Sequence, residues 1–369
     1  MTGIPRIPFT SLVANLPSAI PFTGPETLER KAGNTFRARV GANESAFGPS
    51  PRARAAMATE IERAGWYGDP ESFELRRKLA RIHNVDIAEI VIGAGIDELL
   101  GNIVRMTVAP GQAAITSAGA YPTLNYHVRG FGGLIEAVPY RDAREDPPAL
   151  IDAARRTGVP LIYISNPDNP MGSWHDASTI EAMIGAVPDG ALLIVDEAYA
   201  DFAEPGIIPA IDSSNPRVIR LRTFSKAHGL AGARIGYAIA HREVIAGINR
   251  IRNHFGVNRL AQAAAIASLD DSDFLASVCR EVAKGRSEYA RLASELGMEA
   301  HPSMTNFVTI DTGSNERAKA LLETLDRRGI FIRMPGVPPL DRCIRITVGT
   351  DAERAIVAET LRNLIREGL

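Results

Sequence analysis

Leu192-Leu193-Ile194-Val195-Asp196-Glu197-Ala198-Tyr199 is apolar at four successive positions and then abruptly acidic. A run without polar alternation suits a strand covered on both faces, the condition of strands in a parallel sheet. A carboxylate at the carboxyl end of such a strand stands where open α/β sheets bind ligands. It needs a partner there, and a protonated ring nitrogen would serve, since the ion pair keeps the nitrogen charged away from water. Asp196 is read equally well as an ordinary helix cap.

Working outward, short β-type runs recur at Val91-Ile92, Ala113 to Thr116, Leu134 to Val138, Leu161 to Ile164, Val218 to Leu221 and Ile235 to Ile239. Between them lie amphipathic stretches, such as Leu75, Leu79 and Ile82 at i, i+4, i+7, and Leu99, Leu100, Ile103 and Val104 after Asp97-Glu98. This alternation predicts an α/β fold with a mostly parallel central sheet in a large domain over 43–270. After about residue 270 helices are separated by three strand candidates, Asn306 to Ile310, Ile330 to Arg333 and Ile344 to Val348, and a helix carrying Val357, Leu361 and Leu364 closes the chain. Residues 271–369 are therefore expected to form a smaller α+β domain. Residues 1–42, with Pro5, Pro8, Pro17 and Pro21, read as an extended arm lying against the small domain or another subunit.

A length of 369 residues accommodates two such units, and 45% hydrophobic with 23% charged residues is ordinary globular composition. Lys plus Arg number 41 against 43 Asp plus Glu, a net charge of -2, which provides no basic field for nucleic acid and no polybasic membrane anchor. No apolar run reaches the ~20 residues of a membrane span, and the early prolines argue against a signal peptide. Cys279 and Cys343 read as reduced thiols, so a cytoplasmic protein with small-molecule partners is expected.

Thr223-Phe224-Ser225-Lys226-Ala227-His228-Gly229-Leu230-Ala231-Gly232-Ala233-Arg234-Ile235-Gly236-Tyr237 runs from a strand end into a Gly-rich turn. Of five lysines, only Lys226 stands where a strand delivers side chains to a ligand crevice; the others are Lys31, Lys78, Lys284 and Lys319. Its amine could form an imine while Thr223, Ser225 and Arg234 hold a phosphate, and a polar loop with an N-cap serine accounts for the stretch equally well. Asn166-Pro167-Asp168-Asn169-Pro170-Met171-Gly172 reads as a tight turn that leaves the Asn169 amide free to donate. Gly93-Ala94-Gly95-Ile96-Asp97-Glu98 opens a helix whose N-terminus can receive phosphate, but Glu98 occupies the last glycine position of a dinucleotide fingerprint and opposes a nicotinamide dehydrogenase. No metal, nucleophile-elbow or P-loop signature is present, so no metal is expected.

In this order, these motifs resemble the fold-type I pyridoxal-phosphate aminotransferases over roughly Asn43 to Gly349, and Ser225 to Tyr237 is most similar to the histidinol-phosphate aminotransferases among them. The resemblance implies pyridoxal 5'-phosphate as cofactor, a large cofactor domain, a small domain built from both chain ends, and a homodimer with shared active sites. By position Lys226 matches the Schiff-base lysine, Asp196 the partner of the pyridine nitrogen, and Tyr199 with Asn169 the donors to the phenolic oxygen. Gly95, Ile96, Asp97, Thr223, Ser225 and Arg234 fall where such enzymes bind the cofactor phosphate. Tyr121 matches the aromatic that stacks on the ring, and Tyr67 the tyrosine that reaches the neighbour's phosphate. Arg345 matches the arginine that clamps a substrate carboxylate, Asn43-Glu44 the Asn-Glu that opens the large domain, and Arg333 a position that approaches substrate phosphate.

Phe22 stands where such enzymes often carry a phosphate-binding tyrosine, and Ala94 and Ile96 replace residues common there. The implied reaction moves an amino group between an amino donor, an amino acid or histidinol phosphate, and a 2-oxo acid. An aromatic amino-acid aminotransferase, with Phe22 packing on the substrate, and a threonine-phosphate decarboxylase-like enzyme share the motifs. A non-catalytic pyridoxal-phosphate-binding module is disfavoured by the lack of a DNA-binding segment.

Overall fold

The computed structural model describes residues 7–17 and 22–369; Pro5 and Pro21 of the expected arm lie outside the described residues. The strands are β1 (Ala38–Arg39), β2 (Ile90–Gly93), β3 (Ala113–Ser117), β4 (Leu134–Val138), β5 (Leu161–Ser165), β6 (Leu192–Asp196), β7 (Val218–Thr223), β8 (Gly236–Ala240), β9 (Glu299–Ala300), β10 (Phe307–Asp311), β11 (Ile330–Phe331) and β12 (Cys343–Thr347). Seven of them form one sheet in the order β2-β8-β7-β6-β5-β3-β4. The pairings from β7 through β4 are parallel, and β8 is antiparallel to both of its neighbours. All seven runs read from the sequence are strands of this sheet.

The principal helices are α1 (Ser11–Asn15), α2 (Pro25–Ala32), α3 (Pro51–Ile61), α4 (Phe73–His83), α5 (Ile96–Thr107), α6 (Thr123–Gly130), α7 (Pro147–Thr157), α8 (Ala177–Gly185), α9 (Arg242–Asn249), α10 (Arg259–Ser268), α11 (Ser272–Glu295), α12 (Asn315–Arg327) and α13 (Asp351–Arg366). Helices cover both faces of the large sheet. Leu192 and Ile194 of β6 pack with Leu99, Leu100 and Ile103 of α5, whereas Leu193 and Val195 pack with Leu150 and Ala154 of α7 and Met183 of α8. The two-residue strand period thus sends alternate apolar side chains into two separate cores, which is why the run has no polar position.

The second sheet, β12-β10-β9, is antiparallel. It packs with α11, α12 and α13 around Phe307, Ile310, Leu321, Ile346 and Leu361, and Tyr199 and Ala227 join the same core. β11 leaves that sheet to pair in parallel with β1, so the two ends of the chain meet. β9, only two residues long, has no counterpart in the sequence reading.

Two expectations are corrected. The arm is not wholly extended, because it carries α1 and α2. Pro25 occupies the first turn of α2, Glu26 lies in that turn, Arg30 and Lys31 lie in the last, and Gly33 ends it at φ 70°. These are helix start and stop signals that the spacing of prolines obscured. Ile82 shares a stripe with buried Leu75 and Leu79 but is 53% exposed in the last turn of α4. No helix among the described residues is long and apolar enough to cross a membrane. Cys279 and Cys343 are free thiols.

Immediately after β6, the buried Glu197 meets two arginines of β7. Arg220 Nε donates to it at 2.8 Å and Arg222 Nε at 2.9 Å. Arg220 also reaches the Pro209 carbonyl at 3.1 Å, tying down the preceding loop. Removing one member of such a group strands the others without a counter-charge. Glu197→Gln is expected to lower the unfolding free energy by about 3 to 5 kcal/mol in urea denaturation, because Arg220 is nearly inaccessible to water.

Candidate active site

The parallel strands end side by side, with Thr223, Asp196, Ser165 and Ser117 closing β7, β6, β5 and β3. Asp196 is 4% exposed. It accepts the Ala198 N–H at 3.0 Å and the Tyr163 hydroxyl at 2.8 Å. No α-helix follows, which removes the helix-cap reading of Asp196. Burial pushes its carboxyl up to about 6, against those two hydrogen bonds. Since a carboxylate offers about four lone-pair sites, capacity for a further N–H remains.

Lys226 lies beyond β7, and its Nζ donates to the Asn43 carbonyl at 3.0 Å. Burial, reinforced by the positive charge of Arg345, lowers its amine to about 8. Asn43 uses all of its polar atoms. Its N–H donates to Thr347 Oγ1 at 3.0 Å, Thr347 returns a hydrogen bond to Oδ1 at 3.0 Å, and Nδ2 donates to Tyr199 Oη at 3.0 Å. Its φ of 55° is left-handed, a region asparagine tolerates better than most residues. Asn169 Nδ2 lies 3.5 Å from the same Tyr199 oxygen. Both amides donate to that phenol, so neither takes its proton, and burial pushes the phenol up to about 12.

Around the start of α5, Arg234 Nη2 donates to Asp97 at 3.1 Å and Nη1 to Ser225 Oγ at 3.4 Å. Thr223 Oγ1 donates to Ser225 Oγ at 2.9 Å and accepts the Ser225 N–H at 3.1 Å. Ser225 lies in the loop after β7 and caps no α-helix. Gly95, at φ 81°, is the N-cap of α5 ahead of the buried Ile96, and a Cβ there would lie 2.5 Å from Arg234 Nη2. Glu98 accepts the Ala94 N–H, so the residue that breaks the dinucleotide fingerprint caps its own helix. The Ile96 and Asp97 N–H groups of the first turn, the Thr223 and Ser225 hydroxyls and the Arg234 guanidinium thus form a donor set suited to a phosphate.

Tyr121 donates to Asp97 at 3.2 Å, and its ring centroid is 6.4 Å from that of Phe22, which is 48% exposed. Arg345 donates to Asn169 Oδ1 and to the Gly41 carbonyl, stacks over Phe307 at 5.1 Å, and keeps a buried Nε without a partner. Arg333 pairs with Arg345 through the backbone, donates to the Thr23 carbonyl, and lies over Phe331 at 4.9 Å. The expected residues therefore gather around the carboxyl ends of the inner strands, apart from Tyr67. That ring is 77% exposed and packs on Phe255 at 4.7 Å, beside exposed Trp66.

Tyr163, Asn306 and Thr347 escaped the sequence reading. A lone hydroxyl inside the apolar run Leu161 to Ile164 was a usable signal for Tyr163. Asn306, which donates to the Asn43 carbonyl at 3.1 Å, carried none. A separate cavity of about 450 Å³ between α11 and α13 shares no residue with this site, and its Arg354 and Arg362 are paired with Glu288 and Glu295. His301, Asp311 and Cys343 cluster on the small sheet, where Asp311 is held by Arg342 at 2.8 Å.

The lysine environment is directly testable. In an NMR pH titration of lysine-labelled protein without added ligand, one of the five amines is expected to titrate near 8. Arg345→Gln should move that midpoint upward, because a nearby positive charge is removed.

The family model for class I and II aminotransferases matches residues 39–361. A histidinol-phosphate aminotransferase of Roseiflexus castenholzii is 35% identical over 362 residues, spanning 95% of this chain and 96% of that one. The crystal structure of histidinol-phosphate aminotransferase from Sinorhizobium meliloti in complex with pyridoxal-5'-phosphate superposes with a TM-score of 0.94 at 46% identity, covering 99% of each chain. L-threonine-O-3-phosphate decarboxylase from Porphyromonas gingivalis matches at a TM-score of 0.76 and 21% identity over 89% of this chain and 99% of that one, a likeness of fold alone.

Proposed function

This chain belongs to the class I and II aminotransferase family, and we propose that it moves the amino group of histidinol phosphate to or from a 2-oxo acid, with pyridoxal phosphate as cofactor. The observation that carries the reading is a buried amine of lowered basicity, Lys226, set among an anion cradle, an underfilled carboxylate and an arginine pair. The donor set fits the cofactor. Thr223, Ser225, Arg234 and the Gly95 to Asp97 backbone would hold its phosphate, Asp196 its ring nitrogen, Asn169 and Tyr199 its phenolic oxygen, and Tyr121 its ring face.

When bound, pyridoxal phosphate supplies an aldehyde that captures amines and a protonated ring that draws electrons from the substrate's α-carbon. Asp196 would hold the ring N–H, and pairing with that cation would reverse the upward push of burial. Lys226 would tether the cofactor and move a proton at the substrate's α-carbon. Tyr199 and Asn169 would hold the phenolic oxygen. Arg333 and Arg345, whose guanidinium groups retain unused donors, bind the anionic end of either substrate. We read residues 43–270 as the cofactor-binding domain and 271–369, with the arm, as the smaller one. Trp66, Tyr67 and Phe255 form an exposed aromatic patch suited to a second copy of this chain, whose phosphate site Tyr67 would complete.

A second reading, an aromatic amino-acid aminotransferase, rests on Phe22, whose phenyl group lies near Tyr121 and cannot bind phosphate through a hydroxyl.

Borohydride reduction with pyridoxal phosphate followed by peptide mapping should label Lys226, and Lys226→Ala should abolish transamination; a label on Lys284 would overturn the site. Asp196→Asn should keep the cofactor but slow single-turnover proton abstraction. Arg345→Lys should weaken kcat/KM for carboxylate donors such as glutamate by roughly 1.5 to 3 kcal/mol, the worth of a charge-assisted bidentate contact. Arg333→Ala separates the two substrate readings. A large loss confined to histidinol phosphate supports the first, and equal small losses with every donor support the aromatic enzyme.

A further inference from the structure

Behind the Asn166–Gly172 turn stand two carboxyl groups that the reaction above does not use. Glu145 and Asp168 are 2% and 1% exposed. Ser117 Oγ donates to Glu145 Oε2 at 2.6 Å, and the Ser165 N–H and Oγ donate to Oε1 at 3.0 and 2.8 Å. Tyr140 Oη donates to Asp168 Oδ1 at 2.8 Å, the Met171 N–H to Oδ2 at 3.1 Å, and Ser165 Oγ lies 3.3 Å from Oδ1. Glu145 and Asp168 thus flank the same Ser165 hydroxyl, and neither has an ion-pair partner among the described residues. Two carboxylates sealed from water around one hydroxyl with no counter-charge do not both stay ionised, so one of them carries a proton.

We propose that Glu145 is a neutral carboxylic acid beside an ionised Asp168, and that this pair is the positioning device that fixes the Asn169 amide at the active site. Each carboxyl accepts three hydrogen bonds, and the proton is assigned to Glu145 because Asp168 in addition lies in the field of Arg345, which favours its charged form. The pair grips the turn on both sides of Asn169. Asp168 takes the Met171 N–H through its side chain, and its backbone N–H donates to the Ser173 carbonyl at 2.8 Å. Glu145 carries the grip to the sheet through Ser117 and Ser165, the last residues of β3 and β5. His175 completes it, with Nε2 at 2.8 Å from the Glu145 carbonyl and its N–H donating to Asn166 Oδ1 at 2.8 Å. The positioning role rests on the assignment of Asn169 to the cofactor; the proton on Glu145 does not.

Burial and the Asp168 charge raise the Glu145 carboxyl well above the ordinary range. The other titratable groups facing the pair are Tyr140 and Tyr163, which burial keeps protonated, Tyr199, His175, which burial keeps neutral, and Arg345, a cation. A raised acid binds its proton more tightly in the folded than in the unfolded chain, so its contribution to stability is present below the unfolded value and is lost as pH rises through the folded one.

The test compares unfolding midpoints of the holoenzyme from pH 5 to 9 for wild type and Glu145→Gln, which supplies an N–H in place of the acid's O–H. Every titratable group other than Glu145 is present in both proteins, so the difference between the profiles reports the Glu145 and Asp168 pair. The wild type should lose stability relative to Glu145→Gln as pH rises, and the infrared spectrum at neutral pH should show a protonated-carboxyl band that Glu145→Gln lacks. Parallel profiles, or no such band, overturn the proton on Glu145.

For positioning, Glu145→Gln should rescue what Glu145→Leu loses, at least tenfold in kcat. Asp168→Asn should lower kcat with little change in KM and shift the visible band of the bound cofactor. Unchanged kcat and spectrum in Asp168→Asn overturn the positioning role. A wild type that binds no cofactor defeats that role together with the functional reading, while the stability and infrared results still decide the proton.

Discussion

A carboxylate sealed at the end of a strand buried on both faces has to be neutralised by the protein, by a proton or by a ligand. β6 ends in two acids that meet opposite fates. Glu197 turns toward β7 and takes Arg220 and Arg222, whereas Asp196 receives only the neutral Tyr163 hydroxyl and one backbone N–H. The fold commits two arginines to the first and none to the second. Asp196 is consequently left with a raised proton affinity, a condition that a cationic N–H from a ligand relieves.

The cations show the complementary imbalance. Lys226 donates to a carbonyl rather than to a carboxylate, and burial, reinforced by the Arg345 charge, weakens its hold on its proton. Arg345 contacts an amide, a carbonyl and an aromatic face, none of which cancels its charge. Arg234 is paired with Asp97 through only part of its guanidinium. An anion entering near Arg345 would therefore offset the charge that adds to burial in depressing Lys226, coupling anion binding to the protonation of the lysine.

How much of this was legible follows the range of the interaction concerned. Six of the seven strands of the large sheet were readable because a strand buried on both faces imposes its condition on every residue of the run, whereas β4, at the sheet edge, leaves Leu134 exposed. Lys226, Asp196 and Asn169 were readable because each closes or follows a strand. Resemblance added the roles that spacing leaves open. The partners of Asn43 were not readable, since Thr347 and Asn306 lie roughly 300 and 260 positions away and carry no local pattern. The Glu145 and Asp168 pair was hidden for a different reason. A buried acid without an arginine partner looks like any loop acid until the chain closes around it. α2 was missed through its prolines, although Pro25 and Gly33 mark the start and stop of a helix.

Asn43 shows how the two chain ends come to control the chemistry between them. Its carbonyl receives Lys226 from beyond β7 and Asn306 from just before β10, the middle strand of the small sheet, and its side chain joins Tyr199 to Thr347 of β12. β12 also carries Arg345, and β1, just before Asn43, pairs with β11, just before Arg333. A displacement of the small sheet thus moves both arginines and tugs on the hydrogen bonds that hold the lysine and the phenol. With φ at 55° and every polar atom engaged, Asn43 cannot yield by rotating its side chain alone. An anion held at Arg333 and Arg345 would accordingly act on Lys226 through geometry as well as through charge.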